Sequence, residues 1–169
     1  MSIPEASHAI GPSNGSLKVK TGKEGAAAKM GHNLVIGVNT WEATVEGGDS
    51  PSITLTADPS SCEVISGEGG AKPLSDKDEA DIKKTIDKKV LGSSQITFTS
   101  SEVTDSEAKG DLSIAGKSSQ VSVPLNVSGD KISGSIELSQ KDFAIKQFST
   151  MLGALKVTDK VTVEFEGSL

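Results

Sequence analysis

The sequence predicts an all-β fold with one amphipathic helix, its antiparallel strands closing into a barrel or a sandwich. Two observations carry this expectation. Apolar and polar residues alternate through roughly nine short segments between Leu17 and Phe165, the period-two pattern of strands with one face in water. One stretch, Ser75 to Leu91, follows a helical period instead. Strands in such number with open edges invite aggregation, and closure removes the edges.

The elements follow in chain order. Residues 1–15 hold Pro4, Gly11, Pro12 and Gly15 and no apolar run, which predicts a flexible arm ahead of one domain, residues 16–169. Leu17 and Val19 alternate with Lys18 and Lys20. Leu34, Ile36 and Val38 share one face; after Asn39 the apolar parity flips to Trp41, Ala43 and Val45. Such a flip predicts a bulge or a bend, as barrel corners require. Ile53, Leu55 and Ala57 alternate with Thr54 and Thr56, and Cys62 and Val64 follow the Asp58-Pro59 turn. Ser75 is a helix N-cap. Asp76, Asp78, Glu79 and Asp81 then crowd the helix start, and Lys83, Lys84, Lys88 and Lys89 its end, the order that complements the helix dipole. Ile82, Ile86 and Val90 form its narrow apolar stripe. Ile96 and Phe98, Leu112 and Ile114, then Val121, Val123, Leu125 and Val127 resume the alternation. Ser128-Gly129-Asp130 marks a hairpin. Ile132, Ile136 and Leu138, then Phe143 and Ile145, precede a second helical turn expected at Ser149 to Leu155, and Val161, Val163 and Phe165 close the chain.

Composition excludes several functions. All 17 basic residues are lysine, and 23 acidic residues leave a net charge of −6. An acidic chain without arginine suits neither nucleic acid nor an anionic membrane surface. Cys62 is the one cysteine, so an internal disulfide and a multi-cysteine zinc site are ruled out. A secretory leader needs an apolar run of roughly 7–15 residues and a membrane helix about 20. Neither pattern occurs, so a cytoplasmic protein without a membrane span is expected.

Candidate chemistry is sparse. Ser66-Gly67-Glu68-Gly69-Gly70 has the glycines of a phosphate loop, but Pro73 and Leu74 intervene where a helix should begin. His32, just ahead of an apolar strand, reads as a hydrogen-bonding anchor rather than a general base. His8 lies in the arm. Asp142 and Asp159 read as turn residues, and Cys62 as a small buried hydrophobe. No catalytic residue, metal site or cofactor is expected. The inward-facing apolar set leaves two uses open, a packed core or a cavity for one greasy ligand.

Several segments together resemble the YceI-like, polyisoprenoid-binding family. They are Gly31-His32-Asn33-Leu34-Val35-Ile36, Ile96-Thr97-Phe98-Thr99-Ser100-Ser101, Gly110-Asp111-Leu112-Ser113-Ile114-Ala115-Gly116, Asp142-Phe143-Ala144-Ile145 and Val157-Thr158-Asp159-Lys160-Val161-Thr162-Val163. The resemblance spans about residues 16–167. Ala144 stands where the family often has glycine, and Gln140 or Lys141 where it often has arginine. The resemblance implies an extended, lipocalin-like antiparallel barrel with a capping helix and a long apolar pocket for an isoprenoid chain. It turns the apolar faces into a pocket wall: Leu34, Ile36, Trp41, Ile53, Leu55, Ile96, Phe98, Leu112, Ile114, Phe143, Ile145 and Phe148, with Ile82 and Ile86 closing one end. The expected partner is an apolar lipid such as a polyisoprenoid, with a homodimer left open. The alternative is a non-enzymatic stress-related or interaction protein whose barrel is full.

Overall fold

The computed structural model describes residues 3–70 and 72–169; Met1, Ser2, Ala71 and the side chain of Lys89 lie outside the described residues. Its strands are β1 (Ser7–Ile10), β2 (Gly15–Lys20), β3 (Lys23–Glu24), β4 (His32–Val38), β5 (Trp41–Glu46), β6 (Ser52–Ala57), β7 (Cys62–Gly69), β8 (Ile96–Val103), β9 (Glu107–Ile114), β10 (Lys117–Ser128), β11 (Lys131–Ser139), β12 (Ser149–Thr150), β13 (Leu155–Val157) and β14 (Lys160–Ser168). Eleven of them form one curled antiparallel sheet in the order β1-β5-β6-β8-β9-β10-β11-β14-β2-β4-β7. The other three form a small sheet, β12-β13-β3.

The curl comes from the corner that the parity flip predicts. β4 runs into β5 through Asn39 and Thr40, and β6 runs into β7 through a short 3₁₀ turn, Pro59–Ser61. β4 pairs with β7 and β5 with β6. One bent hairpin thus supplies strands near both ends of the sheet order. Two backbone hydrogen bonds cross the corner, Asn39 N to Ser61 O at 3.1 Å and Asp58 N to Thr40 O at 3.0 Å. The Asp58 carboxylate caps the turn by accepting from Ser60 N at 2.9 Å and Ser60 Oγ at 2.7 Å, and these bonds hold its pKa below the usual value. A register shift between Val35 and Ile36 skips Ile65 on the facing strand, which leaves that side chain exposed.

The helix, α1 (Asp76–Thr85), starts where expected. Ser75 Oγ accepts from Asp78 N at 3.1 Å, and the Asp78 carboxylate accepts from Ser75 N at 3.0 Å, a reciprocal capping box. The last stretch, Ile86–Leu91, is a π-helical turn rather than more α-helix. Lys83 Nζ donates to Ser60 O at 2.5 Å and Cys62 O at 3.0 Å. It thereby pins α1 to the β6–β7 corner, alongside the otherwise unpaired edge of β7.

Two expectations need correction. Residues 7–10, read as part of an arm, form β1 and pair with β5 from Ser7↔Glu46 to Ile10↔Ala43. Ile10 is 2% exposed and seats against Gly15 and Gly167, where an added Cβ would lie 2.8 and 2.5 Å from its Cγ2. Four residues with one large apolar side chain are too short to show a period. Ser149 to Leu155 holds a 3₁₀ turn, Met151–Gly153, but β12 and the start of β13 flank it. Ala144 has φ 57°, the left-handed region that explains glycine at this position in the resembling family.

Candidate functional site

The curled sheet encloses a cavity of about 780 Å³, within the roughly 300–1,000 Å³ of ligand sites. Its wall is the inward face of almost every long strand: Leu17 and Val19 of β2, Leu34 and Ile36 of β4, Ile53 and Leu55 of β6, Ile96 and Phe98 of β8, Leu112 and Ile114 of β9, Val121 and Val123 of β10, Ile136 and Leu138 of β11, and Val161 and Val163 of β14. Period-two geometry places these side chains on one side. α1 and the turn after it close a flank with Ile82, Ile86 and Val90.

Of the side chains expected to form the wall, Leu34, Ile36, Ile53, Leu55, Ile82, Ile86, Ile96, Phe98, Leu112, Ile114, Phe143, Ile145 and Phe148 all line this one cavity. Trp41 does not. It is buried beyond the corner, edge-on to Phe165 at a centroid distance of 5.8 Å and an interplanar angle of 76°. Phe165 is the ring that lines the cavity, and Trp41 backs it. Alternation names the face of a strand but not how far along the barrel a residue sits, so it cannot separate the two. Phe165, Val121, Val123, Ile136 and Val163 carry the same alternation signal and belong to the wall. Leu74, Leu155 and Val157 also line it, from segments with no period to reveal them.

Polar groups gather where β2 ends and β4 and α1 begin. Thr21, His32, Asp78, Asp81, Thr85, Gln140 and Thr150 are among the lining residues. His32 Nε2 lies 2.7 Å from Lys72 O. A carbonyl only accepts, so Nε2 carries the hydrogen and Nδ1 is the acceptor in the neutral ring. The imidazole lies against the loop between β7 and α1, so closely that a Cβ at Gly70 would fall 2.5 Å from Nε2. This is the anchoring geometry expected of His32. The Asp78 carboxyl is held below its ordinary pKa by the Ser75 backbone and side-chain hydrogen bonds, with His32 and Lys77 adding to the effect. Gln140 Nε2 donates to Thr158 O at 3.1 Å. Asp159 accepts from Ser139 Oγ and, at 3.0 Å, from Lys141 N, as a turn residue does.

Other candidates take bland roles. Ser66–Gly69 belong to β7. Burial pushes the Cys62 thiol up to about 11, so it is neutral and serves as a small apolar wall group. No cluster of three or more His, Cys, Asp or Glu suited to a metal occurs among the described residues. No helix among them is long and apolar enough to cross a membrane.

A curled antiparallel sheet, one flanking helix and an apolar interior are what the resemblance implied, and comparison with known proteins decides it. The family model of the YceI-like domain matches residues 18–169. The chain belongs to the YceI-like family. Among solved structures it is similar to Burkholderia cenocepacia BcnA, at 17% identity and a TM-score of 0.66, over 93% of this chain and 97% of that one. It is also similar to the Campylobacter jejuni YceI protein, at 14% identity and a TM-score of 0.53, over 79% of this chain and 82% of that one. These likenesses show a YceI-type fold. No curated protein matches the sequence significantly.

Proposed function

We propose that this YceI-like chain is a non-enzymatic binding protein that holds a long apolar lipid, of polyisoprenoid type, inside its barrel. The observation that carries the reading is the continuous apolar cavity of about 780 Å³ with polar groups at one end. Each CH₂ buried there gains about 0.8 kcal/mol, so chain length supplies affinity and a few polar groups supply orientation. A full barrel would need the inward side chains to meet. Leu34, Leu55, Leu112, Ile114, Val121, Ile136 and Val163 instead stay partly exposed around the void. His32, the leading catalytic candidate, is engaged by a backbone carbonyl, which supports a binding role over chemistry.

The polar end narrows the ligand class. Asp78 and Asp81 line the cavity, whereas no lysine with a described side chain does. At the start of α1, where amides could draw an anion, Asp78 N already donates to Ser75 Oγ, and the Asp78 carboxylate, accepting from Ser75 N, sets negative charge there instead. The ligand's polar end is therefore uncharged, a hydroxyl or carbonyl rather than a phosphate. The experiment is mass spectrometry of an organic extract of the purified protein. A polyprenyl chain with a neutral end is expected; extracts of the folded protein that never contain lipid would end the reading.

A further inference from the structure

Among the described residues, large apolar side chains that stay exposed are few: Met30, Ile65, Met151 and Leu152. Ile65 is explained by the bulge in β7. The other three flank β13, the middle strand of the small sheet. Met30 ends a 3₁₀ turn, Ala28–Met30, that is tied to the end of the turn Met151–Gly153 by Ala27 N donating to Ala154 O at 2.8 Å. Met151 and Leu152 form the turn between β12 and β13. Phe148, Thr150, Leu155 and Val157 of this module line the cavity, so the apolar tip adjoins the cavity wall.

The tip is also strained. Met151 and Leu152 have φ values of 53° and 57°, a left-handed pair that side chains with a Cβ rarely adopt. Leu152 is fully exposed, so no packing within the chain rewards that conformation. Strain held without internal reward points to a function outside the chain.

Charge identifies the partner. Residues 20–30 and 146–158 carry five lysines and one glutamate, a net +4, in a chain of net −6. The glutamate, Glu24, accepts from Gln147 Nε2. Lys20 pairs with Glu164 at 2.9 Å, and Lys23 Nζ donates to Gly31 O at 2.8 Å. Lys29, Lys146 and Lys156 form no ion pair among the described residues. The acidic overall balance, which argued against an anionic surface, conceals a basic module at one end.

We propose that the small sheet docks this protein on an anionic lipid bilayer, with Met151 and Leu152 entering the headgroup boundary and Lys29, Lys146 and Lys156 facing the anionic headgroups. Exposed apolar side chains together with lysines on one module are the composition of an interfacial anchor. The contact places the segments that wall this side of the cavity against the membrane, so that a lipid can pass between the two without crossing water. This surface rests on the lipid-binding reading for its purpose but not for its chemistry, so the two are tested apart.

The experiment is co-sedimentation with vesicles of equal parts phosphatidylglycerol and phosphatidylcholine, and with phosphatidylcholine alone, at low and high salt. Three unpaired lysines correspond to roughly hundredfold tighter association with the anionic vesicles. That advantage should shrink at high salt. Leu152→Glu should weaken association by at least about tenfold while leaving the melting temperature and the extracted lipid unchanged. Met151→Glu, on the neighbouring residue, is the second variant should the first disturb the turn. Wild-type protein that stays in solution with anionic vesicles, or glutamate variants that bind as tightly as wild type, would overturn the docking surface. The lipid content of the extract judges the binding reading separately.

Discussion

Around Trp41 the barrel is solid, and around Ile114 it is hollow, although both regions are built from the same aliphatic alternation. At the solid end Ile10, Val45 and Ile132 are at most 2% exposed. There the bent β4–β5 corner, β1 and the ends of β10, β11 and β14 converge, and Trp41 meets Phe165 edge-on. At the hollow end Leu112, Ile114, Val121 and Ile136 sit on strands of similar composition, yet they face open space. β10 pairs with β11 only from Leu125↔Gly134 to Ser128↔Lys131, and the two strands diverge above that point. The divergence widens the interior, and Phe143 enters from the 3₁₀ turn Gln140–Phe143 to seal the gap between them. What differs is the distance between walls rather than the residues on them.

Substitutions should expose that difference. Ile132→Ala removes packing at the solid end and leaves a hole that its neighbours cannot fill, so it should lower stability by about 2–5 kcal/mol. Ile114→Ala enlarges a void already present and should have a far smaller effect. Urea unfolding of both proteins decides this, and equal losses would mean that the hollow end is packed. The reverse change discriminates further. Ile114→Trp should displace lipid from the extract while the fold survives; in a packed core the same change would cost about 1–3 kcal/mol.

How far the two ends were legible in the chain has a physical answer. Val121, Val123 and Leu125 announce a strand and its inward face because period two is unambiguous over several residues. The corner announces itself through the parity change between Val38 and Trp41. β1 has four residues, and β3 and β12 have two each, too few for any period. Trp41 backs the wall through Phe165 rather than lining it, a difference invisible to alternation, which says which way a side chain points and nothing about the distance to the opposite strand. That distance depends on where β10 and β11 part, a long-range property of pairing. Leu74, Leu155 and Val157 reach the cavity from loops and a three-residue strand, so only the assembled fold brings them in.

At the polar end the effect of substitution should fall on selectivity. Asp78→Asn and Asp81→Asn together remove two negative charges from the rim, and asparagine at position 78 can still accept from Ser75 N. Wild type should bind geranylgeraniol more tightly than geranylgeranyl diphosphate, and the double variant should narrow that gap by about tenfold. Competition against a fluorescent lipid reports both affinities. A wild type that prefers the diphosphate would remove the neutral-headgroup assignment and leave the lipid-binding reading in place.

The smallest effect concerns acid. Asp159 accepts from Ser139 Oγ and Lys141 N and so joins the end of β11 to the turn ahead of β14. The Ser139 hydroxyl, then the Lys141 amide and the positive charge of Lys141 and Lys160, hold its pKa below the usual value against a modest opposing effect of desolvation. A carboxyl whose pKa is lower in the folded chain binds its proton more weakly there than in the unfolded chain. Its stabilisation is therefore complete above the ordinary carboxylate range, around pH 4, and fades as pH falls through the depressed value. Asp58 and Asp78 act with the same sign, so acid should loosen the β6–β7 corner and the start of α1 together with this turn. Asp78 is exposed and Asp58 and Asp159 are only partly buried, so solvent screens all three and the loss at each is small. Urea midpoints from pH 7 to pH 2.5 should fall less steeply for Asp159→Asn than for wild type, with the two curves converging at the acid end. A wild-type midpoint that does not fall, or an Asn variant that falls as steeply, would show that this carboxylate contributes nothing to the turn.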